Sequence, residues 1–278
     1  NNEGVVLQQP PTLAVVGKLA RTKPIFVEDF KYLKSLTRAV PKVTIPSPTI
    51  MHFRGGREAI DKVAYPTIEE FYVDLARVYR EEIADLAAAG CTYLQIDETN
   101  LAYLCDPTLR DHAKSIGEDP DQLLATYAKL LNDTIRDAPK FGMTVCVHLC
   151  RGNYGGAWVA EGGYEPVAKA LFQDMNFDGY FLEYDSDRAG GFEPLRHLPK
   201  GKTVVLGLIT TKNGKLETKD VIKRRIEEAA KIVPLDQLCL SPQCGFASGI
   251  EGMAMSIEEE HAKLRLVTDV AREVWGDA

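Results

Sequence analysis

The sequence predicts an α/β fold, a parallel (β/α)8 TIM barrel, and three observations carry that expectation. Short apolar runs rich in Val, Ile, Leu and Tyr alternate along the chain with longer stretches of helical period. The runs read as continuously apolar more than as alternations, as strands covered on both faces do. Four of the runs end in acids, a histidine or thiols, and a barrel of this kind gathers its functional side chains at the C-terminal ends of its strands.

The elements follow in chain order. "TLAVVGKL" (12–19) and "KVTIPSP" (42–48) are the first apolar runs. "TIEEFYVDLARVYREEIADLAAAG" places apolar residues every three or four positions and closes on Gly90, a helix-ending residue. "CTYLQIDE" (91–98) is a strand ending in Asp97 and Glu98. "DPDQLLATYAKLLNDTIRDAPKFG" opens on Asp119 before Pro120, an N-cap followed by a proline at the first helical position. "MTVCVHLC" (143–150) ends in His148 and Cys150, and "GYFLEYD" (179–185) reaches Glu183 and Asp185. "TVVLGLIT" (203–210) leads to the helical "TKDVIKRRIEEAAKIV". "QLCLSPQC" (237–244) ends in Cys244, and Ser256 with Glu259 forms a capping box for "SIEEEHAKLRLVTDVAREVW".

Bulk composition narrows the function classes. The 278 residues, 45% hydrophobic, can bury the core of one large domain. A net charge of −7 repels phosphate backbones, which sets nucleic acid aside as a partner. No apolar run approaches the length of a membrane span. The N-terminus lacks the basic and apolar regions of a secretory signal, and it also lacks a starting Met, so the expectation is a cytoplasmic protein with residues missing upstream. Six cysteines in a chain this long, without an export signal, read as thiols in a reducing compartment. "PKGKT" (199–203) looks like the end of a phosphate-binding loop, but it lacks the earlier glycine and precedes a strand where a helix is needed.

The strand end at 143–150 holds the most specific signal. His148 and Cys150 are one residue apart, which on a strand turns both side chains to one side. Cys146 shares that face one step deeper and is expected to be an interior thiol. A lone histidine is ordinarily a hydrogen-bonded core residue, and a lone cysteine a small core residue. A nitrogen and a thiolate side by side, with Cys244 and Glu183 at later strand ends, suit zinc better than either bland reading. Ligands spread over three strands imply a site built by the fold rather than a zinc finger.

"LQIDE", "VHLC", "FLEYD" and "LSPQCGFAS" resemble the C-terminal barrel of cobalamin-independent methionine synthase, and "HLCRGN", "FLEYDSDRAG" and "SPQCGFAS" are similar to its short, single-barrel relatives. The resemblance runs from about residue 12 onward. It implies a zinc-dependent S-methyltransferase of methionine biosynthesis, with His148, Cys150, Glu183 and Cys244 as metal ligands. It implies that Asp97 holds the amine of homocysteine, with Glu98 and Ser47 beside it in substrate binding. Asp97 and Glu183 are the groups expected to act in the reaction. Glu183 would fill the fourth zinc position at rest and yield to the thiol; either way two thiolates, a neutral His and one further anion leave a net charge of −1, which keeps the sulfur nucleophilic.

The resemblance also implies a single barrel domain over residues 1–278, with residues 1–30 an extra hairpin and lead-in. The strands from 42–48 onward would be the third to eighth, leaving an edge that missing segments or a partner must cover. The methyl donor stays open between methyl-folate, methylcobalamin and a sulfonium compound. "MHFRGG" and "GLITTK" replace the aromatic stretch and the histidine that long enzymes of the family place beside the folate. Two other readings stay open: alkyl transfer to another thiol, as in epoxide-opening coenzyme M transferases, and a non-catalytic zinc-binding protein. Homo-oligomerisation is left undecided.

Overall fold

The structure, a computed structural model, describes residues 13–153, 157–247 and 255–276. Six strands form one sheet: β1 (Val43–Pro46), β2 (Tyr93–Glu98), β3 (Thr144–Leu149), β4 (Gly179–Glu183), β5 (Thr203–Ile209) and β6 (Leu238–Pro242). They lie in chain order and every neighbouring pair is parallel. The helices are α1 (Val27–Leu36), α2 (Ile50–Phe53), α3 (Ile68–Ala88), α4 (Asn100–Tyr103), α5 (Pro107–Ser115), α6 (Pro120–Ile135), α7 (Glu165–Lys169), α8 (Lys219–Ala230) and α9 (Ile257–Trp275). Among the described residues β1 and β6 each pair on one side only, so the sheet is a six-stranded arc of the expected (β/α) barrel type.

The strand period of two sorts the side chains. Leu94, Ile96, Val145, Val147, Tyr180, Leu182, Val204 and Leu206 turn outward and form the main core with the helices. Gln95, Asp97, Cys146, His148 and Phe181 alternate with them on the inner face. The continuously apolar reading therefore holds for the outer face only. Thr44, Pro46 and Cys239, inner-face residues of β1 and β6, are exposed.

The helix boundaries follow the expected caps. Asp119 accepts from the backbone N–H groups of Asp121 (2.9 Å) and Gln122 (3.3 Å) at the start of α6. Thr218 caps α8, and Ser256 and Glu259 form the capping box of α9. Gly90, with φ +90°, ends α3 in a conformation that L side chains rarely adopt.

The hairpin expected within residues 1–30 falls partly outside the described residues, which begin at 13; among the described residues Val15 forms a parallel bridge to Ile60. The segment that follows is held by side chains instead of a ladder. Glu82, a buried carboxylate on α3, accepts from the N–H groups of Ile25 and Phe26 and pairs with Arg21 at 2.8 Å. Among the described residues no helix is long and apolar enough to cross a membrane.

Candidate metal centre

The register of the sheet sets the site. β2 and β3 pair with Asp97 opposite His148, so the two inner-face side chains meet at one level of the arc. His148 Nδ1 lies 3.1 Å from Asp97 Oδ1, and its Nε2 lies 3.3 Å from Glu183 Oε1 at the end of β4. Cys150, one strand step beyond His148, places its sulfur 3.7 Å from that of Cys244, just past β6. One ligand atom from each of His148, Cys150, Glu183 and Cys244 lies within 4.8 Å of the others. All four residues expected as metal ligands are thus brought together.

Their spacing can be compared with a tetrahedral ion. Metal–sulfur bonds of about 2.3 Å give a sulfur–sulfur edge of about 3.8 Å, and nitrogen and oxygen bonds of about 2.0–2.1 Å give an edge of about 3.3 Å. The observed 3.7 and 3.3 Å match both edges. The donor set, one imidazole, one carboxylate and two thiols, could hold a borderline metal ion.

Electrostatics prepare the same point. Burial alone would push the His148 imidazolium down, but Asp97 and Glu183 on either side hold it up to about 10. Burial pushes the Glu183 carboxyl up, yet His148, Lys212 and Arg188 outweigh it and keep it below its ordinary range. The hydrogen bond from Cys150 brings Cys244 down to about 7, while that contact and burial push the Cys150 thiol up.

Glu183 is saturated. Oε1 faces His148 and accepts from the Arg151 N–H at 3.2 Å, and Oε2 accepts from Arg188 at 3.2 Å and Gln243 Nε2 at 3.0 Å. Its backbone is pinned by the Tyr164 hydroxyl, which accepts from the Glu183 N–H at 2.9 Å and donates to the carbonyl at 3.2 Å. The Arg151 guanidinium, fully buried, stacks on that tyrosine ring at 4.4 Å, and among the described residues none of its three nitrogens has a hydrogen-bond partner. Cys146 is buried one step deeper on the same face, as expected.

The three residues expected in substrate binding part company. Asp97, its side chain 37% exposed, sits at the mouth of the site. Glu98 follows it and so turns outward, with no exposure. It accepts from the Ser47 and Thr49 hydroxyls and from the N–H groups of Asn100 (2.5 Å) and Leu101 (3.0 Å), which start α4. Ser47 is buried beside it. A cavity of about 220 Å3 opens in front of His148 and Cys244, lined also by Lys42, Gln95, Phe181 and Gln243.

Sequence reasoning did not single out Arg188, Gln243, Arg151, Gln95 or Lys42. All five lie inside stretches already noticed: Lys42 in "KVTIPSP", Arg151 in "HLCRGN", Arg188 in "FLEYDSDRAG", Gln243 before Cys244 in "SPQC", and Gln95 two residues before Asp97 in "LQIDE". That spacing places Gln95 on the same strand face as Asp97.

The chain was compared with known proteins. The family described as "Cobalamin-independent synthase, Catalytic domain" matches residues 4–273. The uncharacterized protein YxjH of Bacillus subtilis (strain 168) is 44% identical over 98% of this chain and 73% of its own length. A solved structure assigned provisionally as the vitamin-B12-independent methionine synthase of Listeria monocytogenes is 40% identical, with a TM-score of 0.75 over 94% of this chain and 73% of that one. A B12-independent methionine synthase from Shewanella sp. W3-18-1, solved with selenomethionine, is 26% identical, with a TM-score of 0.70 over 94% of this chain and 70% of that one. With a family match over nearly its whole length and a 44% identical relative, the chain belongs to the cobalamin-independent synthase catalytic-domain family.

Proposed function

We propose that the chain is a methionine-synthase-like S-methyltransferase that activates homocysteine, or a thiol of the same shape, with zinc as its resident ion. The observation that carries this reading is the four-residue group at the ends of β3, β4 and β6, whose spacing fits a tetrahedral ion. The relative solved with selenomethionine, the selenium analogue of a methylated homocysteine, supports the same substrate class. Zinc in this position supplies a thiolate at neutral pH from a thiol that is otherwise mostly protonated.

The remaining steps belong to the protein's own residues. His148, Cys150, Glu183 and Cys244 would hold the ion, with Glu183 the ligand that would give way to the substrate sulfur. Arg188 and Gln243 then keep the displaced carboxylate compensated within the fold. Asp97 Oδ1 is engaged by His148 and Gln95, and Oδ2, with no hydrogen-bond partner among the described residues, receives the substrate amine. That amine contact favours an amino-acid thiol over a sulfonate thiol. The sulfur attacks the donor methyl carbon, and the leaving group departs with the bonding electron pair.

The donor is one that departs without needing a proton, such as a methyl-corrinoid or a sulfonium. Thr211 donates its hydroxyl to Gln243, and the buried Asp185 pairs with Arg188 at 2.7 Å, so neither is poised as an acid. Methionine formation should be faster from methylcobalamin or a sulfonium than from methyl-folate at equal concentration. Faster turnover with methyl-folate would reverse this and make Lys212 the acid, because its buried Nζ has no hydrogen-bond partner among the described residues.

The purified protein should contain about one zinc per chain, and His148→Ala or Cys244→Ala should lose most of it; full retention in both would remove the site assignment. Metal affinity should climb as pH rises from about 7 toward 10. The proton on His148, held up to about 10, and those on the Cys150 and Cys244 thiols must leave before the ligands bind, so protons compete at lower pH. A chelator competition that is flat over this range would contradict that proton release. Asp97→Asn should lower kcat/KM for homocysteine roughly tenfold to a hundredfold more than for an amine-free thiol, the cost of a charge-assisted hydrogen bond of about 1.5–3 kcal/mol on top of any shared loss through His148. Equal losses on both thiols would give Asp97 a different role.

A further inference from the structure

A chain of hydrogen bonds runs along the inner face of the arc toward the metal centre. Lys42, just before β1, reaches Gln95 Oε1 at 2.9 Å. Gln95 Nε2 reaches Asp97 Oδ1 at 2.7 Å, and Asp97 Oδ1 lies 3.1 Å from His148 Nδ1. The Lys42 ammonium lies over the Phe181 ring at 4.4 Å and the Tyr93 ring at 5.4 Å; burial pushes its pKa down, while the rings and Asp97 favour its charged form.

The polarity of this chain is forced at both ends. An ammonium carries three donors and no acceptor, so only the amide oxygen of Gln95 can face it. The Gln95 NH2 is then left for Asp97, whose carboxylate can only accept. Because Asp97 Oδ1 accepts, the His148 nitrogen facing it carries a proton, and the other nitrogen, Nε2, is the one turned toward Glu183 and the two sulfurs. An amide has no such preference by itself, since its two ends are nearly equal in shape. Turned over, Gln95 would set its oxygen against the Asp97 carboxylate and drive that group away from His148.

The geometry points to Lys42 and Gln95 as positioning residues that fix which nitrogen of His148 faces the metal centre and which way the Asp97 carboxylate is turned. Neither touches the ligand group itself. The inference rests on the zinc-site reading above, in that it gives the relay its purpose. Lys42 also lines the cavity in front of the site, so the same clamp borders the space where the thiol would lie.

The test uses the full chain with Lys42→Met, Gln95→Leu, the double variant and Lys42→Arg. Zinc affinity is read by chelator competition, and the His148 Nδ1–H resonance is read by NMR with and without zinc. Removing an outer partner of a metal-binding histidine typically costs about 10- to 100-fold in affinity. Lys42→Met should lose roughly tenfold, the double variant no more than the worse single, and Lys42→Arg, which also only donates, should recover most of the loss. The Nδ1–H resonance should be sharp in the parent and broadened by exchange in Lys42→Met. Parental affinity and an unchanged resonance in Lys42→Met would overturn the relay, as would losses that simply add in the double variant. A parent chain that fails to bind zinc would count against the proposed function, and the resonance in the metal-free chain would still decide the relay.

Discussion

A carboxylate with no exposure to water must be compensated where it stands, and the centre of this protein is arranged around that demand at Glu183. Four donors reach its two oxygens, from His148 on β3, Arg151 just beyond that strand, Arg188 after β4 and Gln243 after β6. The donors come from the ends of β3, β4 and β6, so satisfying one buried charge also ties three strand ends together. Tyr164 adds the backbone of the same residue to the arrangement, and Arg151 stacks on that tyrosine from behind. The two thiols close the ring at one edge, where Cys244 is already inclined to give up its proton.

Much of this was legible because a strand has an integer period. One residue between His148 and Cys150 places both on the inner face whatever the neighbours do, and parallel pairing then brings strand ends to one rim. Asp119–Pro120 and Ser256–Glu259 were equally readable, because a cap is a local device. The same period, applied one step further, separates Asp97 from Glu98. Adjacent residues on a strand cannot both face the basin, and the structure turns Glu98 outward to cap α4.

The parts that were not legible depend on contacts between distant segments. Residues 12–19 have the composition of a strand, but a strand also needs a partner, and the described part finds only the bridge to Ile60. α1 buries just Val27 and Phe30, too thin a stripe to stand out by periodicity. α5, by contrast, starts with Asp106–Pro107, the same signature that marked α6, and was open to the same reasoning. Arg151 and Lys42 give no local sign of their roles. A guanidinium enclosed at 0% exposure and a lysine held between two aromatic rings are ordinary residues until the strands that surround them are in place.

The two carboxylates flanking His148 are held by the same device. Gln95 is clamped by Lys42 and donates to Asp97; Gln243 accepts from the Thr211 N–H and hydroxyl and donates to Glu183. In each case a group that can only donate, an ammonium or a backbone N–H, fixes the amide oxygen and leaves the NH2 for the carboxylate. An arginine or lysine in the place of either glutamine would supply the hydrogen bond but add a positive charge that offsets the carboxylate and repels a cation at the site. A neutral amide orients the carboxylate and leaves its charge in place. That charge is what holds a proton on His148 Nδ1 from one side and offers a fourth ligand from the other. The glutamines therefore let a crowded site keep its anionic character while holding both flanking carboxylates in place.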